Sequence, residues 1–367
     1  MKVRYSYLPQ QFSDPDEILK EIKAVVMTGD FTLGAQVAEF ENKFASLIGT
    51  RFAIGVNSGT DALMLSLKAL GIGHGDEVIT AANTFIATAG AVNAVGARNV
   101  FVDVTPYYTM DVNQVEAAIT SKTKAVMPVH YTGEPVDMDD LIEVCAKHDL
   151  PIVEDACQSI LAEFDGKKAG TFGSMAGFSL HPLKNLNVWG DAGIIVTDSE
   201  EHSNLLRLLR NHGMQNRDEI ALLGYNSRLD TVQAIVGNSL VDQVPQITTK
   251  RIENATKYDE AFADMGDVVA LPHRRSRAKS VFHLYMRQVE RRDELHKFLL
   301  DQEISAKVHY PIPLHLQEGL RHLGYKRGDF PVVEEQAGRI ITFPVDQHLS
   351  DLEMDFVIGS VREFYGR

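Results

Sequence analysis

An acid, an amide, a hydroxyl and an amine stand in two neighbouring stretches of this chain, Asp155-Ala-Cys-Gln158 and Ser179-Leu-His-Pro-Leu-Lys184. The run Pro151-Ile-Val-Glu-Asp155 reads as an apolar strand that ends in carboxylates. Carboxylates at the C-terminal edge of a buried strand point into the crevice where open α/β sheets bind ligands. About one strand later, Met175-Ala-Gly-Phe-Ser179 ends at a hydroxyl, and Lys184 follows in a proline-containing loop. Taken singly, Asp155 reads as a helix cap and Lys184 as a solvated lysine; their combination points to a reaction centre.

The elements that must position these groups alternate. Apolar residues recur at helical spacing over 14–27 and 37–48, with Phe40, Phe44 and Leu47 on one face. A short strand over 52–56 then leads through Asn57-Ser-Gly-Thr60 into an alanine- and leucine-rich helix over 61–70. Strand, small-residue turn and helix form the geometry in which N–H groups at a helix N-terminus receive an anion, although Ser58 or Thr60 would serve equally as an ordinary N-cap. Strands over 77–81, 99–102, 125–129 and 151–154 alternate with helices over 85–95, 113–119 and 139–148, the pattern of βα units. A further strand over 193–197, read as antiparallel, follows the lysine loop. Helices over 201–210 and 229–241 lead away from the sheet. The tail mixes a strand over 282–289, a helix over 293–302 and a last helix over 351–365. We therefore expect an α/β chain with a mostly parallel sheet and helices on both faces, forming a large domain over 1–245 and a smaller α+β domain over 246–367.

A carboxylate beside a pyridine nitrogen keeps that nitrogen protonated and turns the ring into an electron sink. A lysine amine forms an imine with an aldehyde, and hydroxyls with helix N–H groups hold a phosphate. Those are the requirements of pyridoxal 5'-phosphate. Phe85, just beyond a strand, is placed to stack on such a ring or to serve as core.

Composition limits the alternatives. The formal net charge of −14 argues against nucleic-acid and anionic-membrane partners, which need a basic face. No apolar run is long enough for a membrane span or a signal peptide, and two cysteines, Cys145 and Cys157, suit a reduced cytoplasm. His309 and His315 lack a Cys or Asp at familiar ligand spacing, so no metal is expected. No Gly-x-Gly-x-x-Gly follows a strand, so a nicotinamide site has no support. The basic run His273-Arg-Arg-Ser-Arg-Ala-Lys279 reads more readily as a solvated inter-domain loop than as a diphosphate contact.

The segments Asn57-Ser-Gly-Thr-Asp-Ala-Leu63, Val153-Glu-Asp-Ala-Cys-Gln158, Gly170-Thr-Phe-Gly173, Ser179-Leu-His-Pro-Leu-Lys-Asn-Leu186, Gly190-Asp191, Arg210-Asn-His-Gly213, Gly224-Tyr-Asn-Ser-Arg-Leu-Asp230 and His309-Tyr-Pro-Ile-Pro-Leu-His-Leu-Gln317 resemble, in this order and over nearly the whole chain, the DegT/DnrJ/EryC1/StrS family of sugar aminotransferases. Individually these motifs are weak; in sequence they are highly specific. The resemblance implies the aspartate-aminotransferase-like fold (fold type I) with a seven-stranded sheet. It also implies a homodimer with shared active sites, and transfer of an amino group from L-glutamate to a keto sugar, most often nucleotide-linked.

Position by position, the resemblance implies that Lys184 is the Schiff-base lysine, that Asp155 pairs with the pyridine nitrogen and that Gln158 hydrogen-bonds the ring hydroxyl. Gly59, Thr60 and Ser179 would hold the phosphate, with Phe85 behind the ring and Asn226 reaching the phosphate from the partner subunit. His309, Tyr310 and His315 fall in the part of the pattern near the sugar, and Arg217 is a candidate substrate contact from the other subunit. Three departures put the substrate in question: Leu180 where an aromatic is usual, Asn187-Val-Trp189 in place of smaller residues, and Glu134 where glutamine is expected. Relatives that act as dehydratases carry histidine in place of the lysine, and Lys184 speaks against that variant. A dehydratase, a cyclitol or sugar-phosphate aminotransferase and a non-catalytic regulatory protein stay open as alternatives. Amination at C3 of the sugar is slightly favoured over C4.

Overall fold

The computed structural model describes residues 1–270 and 273–367. Its central strands are β1 (Phe52–Val56), β2 (Glu77–Ala81), β3 (Arg98–Val102), β4 (Thr123–Met127), β5 (Val153–Asp155), β6 (Met175–Ser179) and β7 (Gly193–Thr197). They form a four-stranded sheet in the order β1-β7-β6-β5 and a three-stranded sheet in the order β3-β2-β4. Isolated parallel bridges, Val126 with Ile152 and Val129 with Asp155, link β4 to β5. The pairings are mixed: β2 runs parallel to β3 and β4, and β5 runs parallel to β6. β7, however, is antiparallel to both β1 and β6. Only β7 opposes the common strand direction, as read for residues 193–197, because it returns directly from the lysine loop beside β6 with no crossover helix between them.

All five residues of β6 and of β7 are buried, the pattern of strands covered on both faces. Helix Gly59–Ala69 packs closely over them at Gly177, where a Cβ would lie 2.9 Å from Leu63 Cδ2. On the other face, helix Ala35–Ile48 buries Phe40 and Phe44, with the Phe44 ring edge-on to Phe178 at 5.2 Å. The helix expected over 113–119 is a 3-10 turn, Val112–Gln114, and one helical turn, Val115–Ala118.

Beyond the long helix Val244–Ala261, strand Tyr285–Gln288 pairs antiparallel with Ile340–Phe343. Their aromatic side chains join Val3, Tyr7, Tyr258, Phe262 and Val357 in a separate apolar cluster. The N-terminal segment is tied into this part of the molecule by Val3 N–H donating to the Glu303 carbonyl at 3.0 Å and Ser305 N–H donating to the Val3 carbonyl at 3.0 Å. The basic run is neutralised by acids. Arg274 pairs with Asp259, Arg275 with Glu134 and Asp137, and Arg277 with Asp139 and Asp165.

Candidate active site

The C-terminal ends of β5 and β6, the N-terminus of helix Gly59–Ala69 and the loop after β6 enclose a cavity of about 240 Å³. Gly59, Thr60, Phe85, Asp155, Gln158, Ser179, Lys184, His309 and Tyr310 all line it. Tyr5, Thr88, Cys157, His181 and His283 line it as well.

A buried carboxylate knot fixes the strand end that carries Asp155. Glu154 Oε1 accepts from the Phe172 and Gly173 N–H groups, each at 2.7 Å, and Oε2 accepts from Gly170 N–H at 2.7 Å and from His130 Nε2 at 2.9 Å. The Val136 N–H donates to His130 Nδ1 at 3.1 Å, so the ring proton sits on Nε2 and points at Glu154. Burial opposes the charge of Glu154, yet His130 and these N–H groups outweigh it and hold the carboxyl below the usual carboxylate range.

Asp155 is held at both oxygens. Oδ2 accepts from Thr88 Oγ1 at 2.6 Å and Oδ1 accepts from Cys157 N–H at 3.1 Å. Because the Thr88 hydroxyl gives its proton to Asp155, the 2.6 Å contact between Thr84 and Thr88 must be donated by Thr84. Gln158 Oε1 accepts from Thr132 N–H at 2.8 Å, which fixes the amide and leaves its NH2 group to donate. At the other end, Ser58 caps helix Gly59–Ala69 by accepting from Asp61 N–H. Two close approaches shape this turn. A Cβ on Gly59 would lie 2.6 Å from Ser179 Cβ, and a Cβ on Gly193 would lie 2.2 Å from the Ser58 carbonyl oxygen. The turn is therefore pressed against the ends of β6 and β7, and only glycine fits.

Lys184 lies between these two ends. Burial lowers the pKa of its amine, partly offset by Cys157 and Asp155. Three histidines surround it. Burial and the lysine charge lower His181, burial carries His283 well below its ordinary value, and burial with Lys307 and Lys184 brings His309 down to about 4. Burial and the Asp155 charge push Tyr310 up to about 12. The cavity thus offers one amine of reduced basicity, one anchored carboxylate and a wall of uncharged hydrogen-bonding rings.

Three sequence candidates lie outside the lining. His315 sits in the 3-10 turn Leu314–Leu316, buried, with Nε2 2.9 Å from Glu334 Oε1 and its ring edge-on to Phe330. That pairing holds it in the packing beneath the loop, away from the cavity. Asn226 and Arg217 are exposed on the surface of this protomer, on the segments following helix Glu200–Leu209. Of the three departures, Glu134 pairs with Arg275, Trp189 packs edge-on against Phe12 at 5.5 Å, and Leu180 is fully buried in the core. Sequence reasoning passed over Thr88, Tyr5 and His283. For Thr88 the signal was a hydroxyl inside a largely apolar helix, Ile86–Ala94.

Comparison with known proteins gives a consistent result. The DegT/DnrJ/EryC1/StrS aminotransferase family pattern matches residues 13–362. The "dTDP-3-amino-3,4,6-trideoxy-alpha-D-glucose transaminase" of Micromonospora megalomicea subsp. nigra is 38% identical over 98% of this chain and 97% of its own. A "Pleiotropic regulatory protein" of Geobacillus stearothermophilus is also 38% identical, over 95% of this chain and 94% of its own. The crystal structure of S. venezuelae DesV in complex with ketimine intermediate superposes with a TM-score of 0.96 at 38% identity, covering 100% of this chain and 99% of that one. With the fold, the cavity and these likenesses in agreement, the chain belongs to the DegT/DnrJ/EryC1/StrS aminotransferase family.

Proposed function

We propose that the protein is a pyridoxal 5'-phosphate-dependent aminotransferase that moves the amino group of L-glutamate to C3 of a nucleotide-linked keto sugar. The observation that carries this reading is the single cavity holding a lysine of lowered basicity opposite an anchored carboxylate. The transaminase relative named for a 3-amino sugar supports the choice of carbon.

The residues present fit the cofactor. The Gly59 turn, which a Cβ would fill, and Ser179 suit a phosphate; Asp155 suits a protonated ring nitrogen; the free NH2 group of Gln158 suits a ring oxygen; Phe85 offers an aromatic face. When bound, pyridoxal phosphate supplies an electron sink for the carbon that loses its proton. Asp155, fixed in place by its N–H and O–H donors, would face the ring nitrogen and favour its protonated form. With pyridoxal phosphate bound, Lys184 would hold it covalently and would serve as the base that takes the proton from the substrate carbon. Its lowered basicity leaves a larger neutral fraction near pH 7 than a solvated lysine has.

The reading extends to the whole molecule. The two sheets form one seven-stranded unit in the order β1-β7-β6-β5-β4-β2-β3, supported by the bridges between β4 and β5. Residues 1–245 make a large cofactor-binding domain and 246–367 a smaller one; the separate apolar cluster of the C-terminal part supports the division, with Val3 and Tyr7 crossing it to join that cluster. Two copies pair so that Asn226 reaches the partner's phosphate site and Arg217 its substrate, which accounts for their exposed positions in a single protomer. Free cysteines Cys145 and Cys157 suit the cytoplasm, and among the described residues no helix is long and apolar enough to cross a membrane.

A regulatory role without turnover is the second reading, raised by the printed name of the Geobacillus relative. The experiment that separates them is amino transfer from L-glutamate to dTDP-linked 3-keto sugars in the presence of pyridoxal phosphate, with visible absorbance recorded in parallel. Transfer and a visible band, both lost in Lys184→Ala, support the enzyme. A colourless wild-type protein that transfers nothing favours the regulator.

A further inference from the structure

The N-terminal segment does more than close the smaller apolar cluster. It is pinned at Val3 by the hydrogen bonds to Glu303 and Ser305, and at Tyr7 by its N–H on Asp346 Oδ2 at 3.3 Å and its hydroxyl on Glu353 Oε1 at 2.6 Å. Between the two pins the chain bends at Tyr5, so that Val3 and Tyr7 pack into the apolar cluster while Tyr5 lines the cavity. Its ring centroid lies 5.8 Å from that of His309, which in turn lies 5.4 Å from Tyr310. His283, with Nδ1 buried and without a hydrogen-bond partner among the described residues, completes this wall.

The wall has a defined chemistry. Burial keeps the Tyr5 phenol protonated, and burial together with Lys184 and the other cations keeps His283 and His309 uncharged. A carboxylate calls for a cation or several donors, whereas a sugar ring presents C–H faces for aromatic stacking and hydroxyls for neutral donors and acceptors. Of the two substrates, the sugar suits such a wall and glutamate does not.

Building on the function proposed above, we infer that Tyr5, held into the cavity by the twice-pinned N-terminal segment, contacts the acceptor sugar and selects it over the amino-acid donor. His283 completes the same contact surface. The assignment gives the first seven residues a part in substrate choice although they lie far in sequence from Lys184.

The test compares wild type, Tyr5→Phe and Tyr5→Ala as cofactor-loaded enzymes. Binding of dTDP-3-amino-3,4,6-trideoxy-alpha-D-glucose is measured by calorimetry, and KM and kcat are measured for L-glutamate and for the amino sugar in the reverse direction. Loss of a stacked ring and one hydrogen bond weakens sugar-nucleotide binding about tenfold in Tyr5→Ala, and about threefold in Tyr5→Phe, which keeps the ring. The KM for glutamate and cofactor retention stay at wild-type values in both variants, and the melting temperature does so in Tyr5→Phe, which keeps the ring packing. If the sugar nucleotide binds wild type and Tyr5→Ala equally, or if both substrates weaken alike, the assignment of Tyr5 is overturned while the aminotransferase reading stands. A wild type that binds no nucleotide-linked amino sugar at all overturns both.

Discussion

Glu154→Gln changes one atom type in a side chain that never touches the cavity, and its effect can be worked out contact by contact. Each carboxylate oxygen accepts two hydrogen bonds, Oε1 from Phe172 and Gly173 N–H and Oε2 from Gly170 N–H and His130 Nε2. An amide NH2 in place of either oxygen faces two donors. His130 cannot relieve the conflict by moving its proton, because Nδ1 is already accepting from Val136 N–H. The variant therefore loses two hydrogen bonds to a charged acceptor, at about 1.5–3 kcal/mol each, for about 3–6 kcal/mol in all. That is a large part of the roughly 5–15 kcal/mol by which folded proteins exceed their unfolded states. Urea unfolding at neutral pH measures it directly.

A second arm uses the sign of the linkage. The folded carboxyl is held below its ordinary value, so its stabilisation is present above the unfolded pKa and disappears as pH falls through the folded one. Wild type and variant should thus converge in stability as the pH drops below about 4. Because Asp155 is the next residue on β5, cofactor affinity should fall along with stability. A loss under about 1 kcal/mol, or a gap that persists undiminished in acid, would refute the reasoning.

Three further outcomes are expected. Gly59→Ala puts a methyl 2.6 Å from Ser179 Cβ and 3.1 Å from Cys157 Sγ, so cofactor affinity, measured by equilibrium dialysis, should fall at least about tenfold as the turn is forced off β6. Acylation of Lys184 by acetic anhydride, followed by peptide mass spectrometry, should reach its half-maximal rate at a pH below 10.5, because burial disfavours the charged amine; a midpoint at or above that value counts against the proposed base. His315→Asn should lower stability by about 1–3 kcal/mol through the loss of its Glu334 partner, while the KM for the sugar stays within about twofold. A selective rise in that KM would return His315 to the substrate site.

What could be read from the sequence was local. The strand-turn-helix at 52–70, the carboxylates closing β5 and the hydroxyl closing β6 are each written in a few consecutive residues, so Asp155, Ser179, Lys184 and the Gly59 turn could be picked out and placed at one sheet edge. Residues whose position depends on distant pairing were not legible. Tyr5 reaches the cavity only because Val3 bonds to residues 303 and 305, some three hundred positions away. His315 illustrates the converse. Its motif suggested a ligand contact, but the partner that decides its orientation, Glu334, lies in another helix. The direction of β7 was legible because the chain from the lysine loop is too short for a crossover. Its place between β6 and β1 was not, since pairing with β1 joins residues far apart in the chain.

That second pairing has a consequence for synthesis. β7 lies between β1 and β6, so residues 52–56 have no neighbour on that side until residues 193–197 arrive. The Ser58 carbonyl presses on Gly193, and Ser179 pairs with that same residue across the β6–β7 ladder, so this late strand backs both sides of the Gly59 turn. A nascent chain ending short of β7 would carry Lys184 but an unbacked Gly59 turn. Long-range closure of this kind is slow compared with local helix formation. Capture of the cofactor should therefore follow, and report on, the seating of a single five-residue strand in the middle of the sheet.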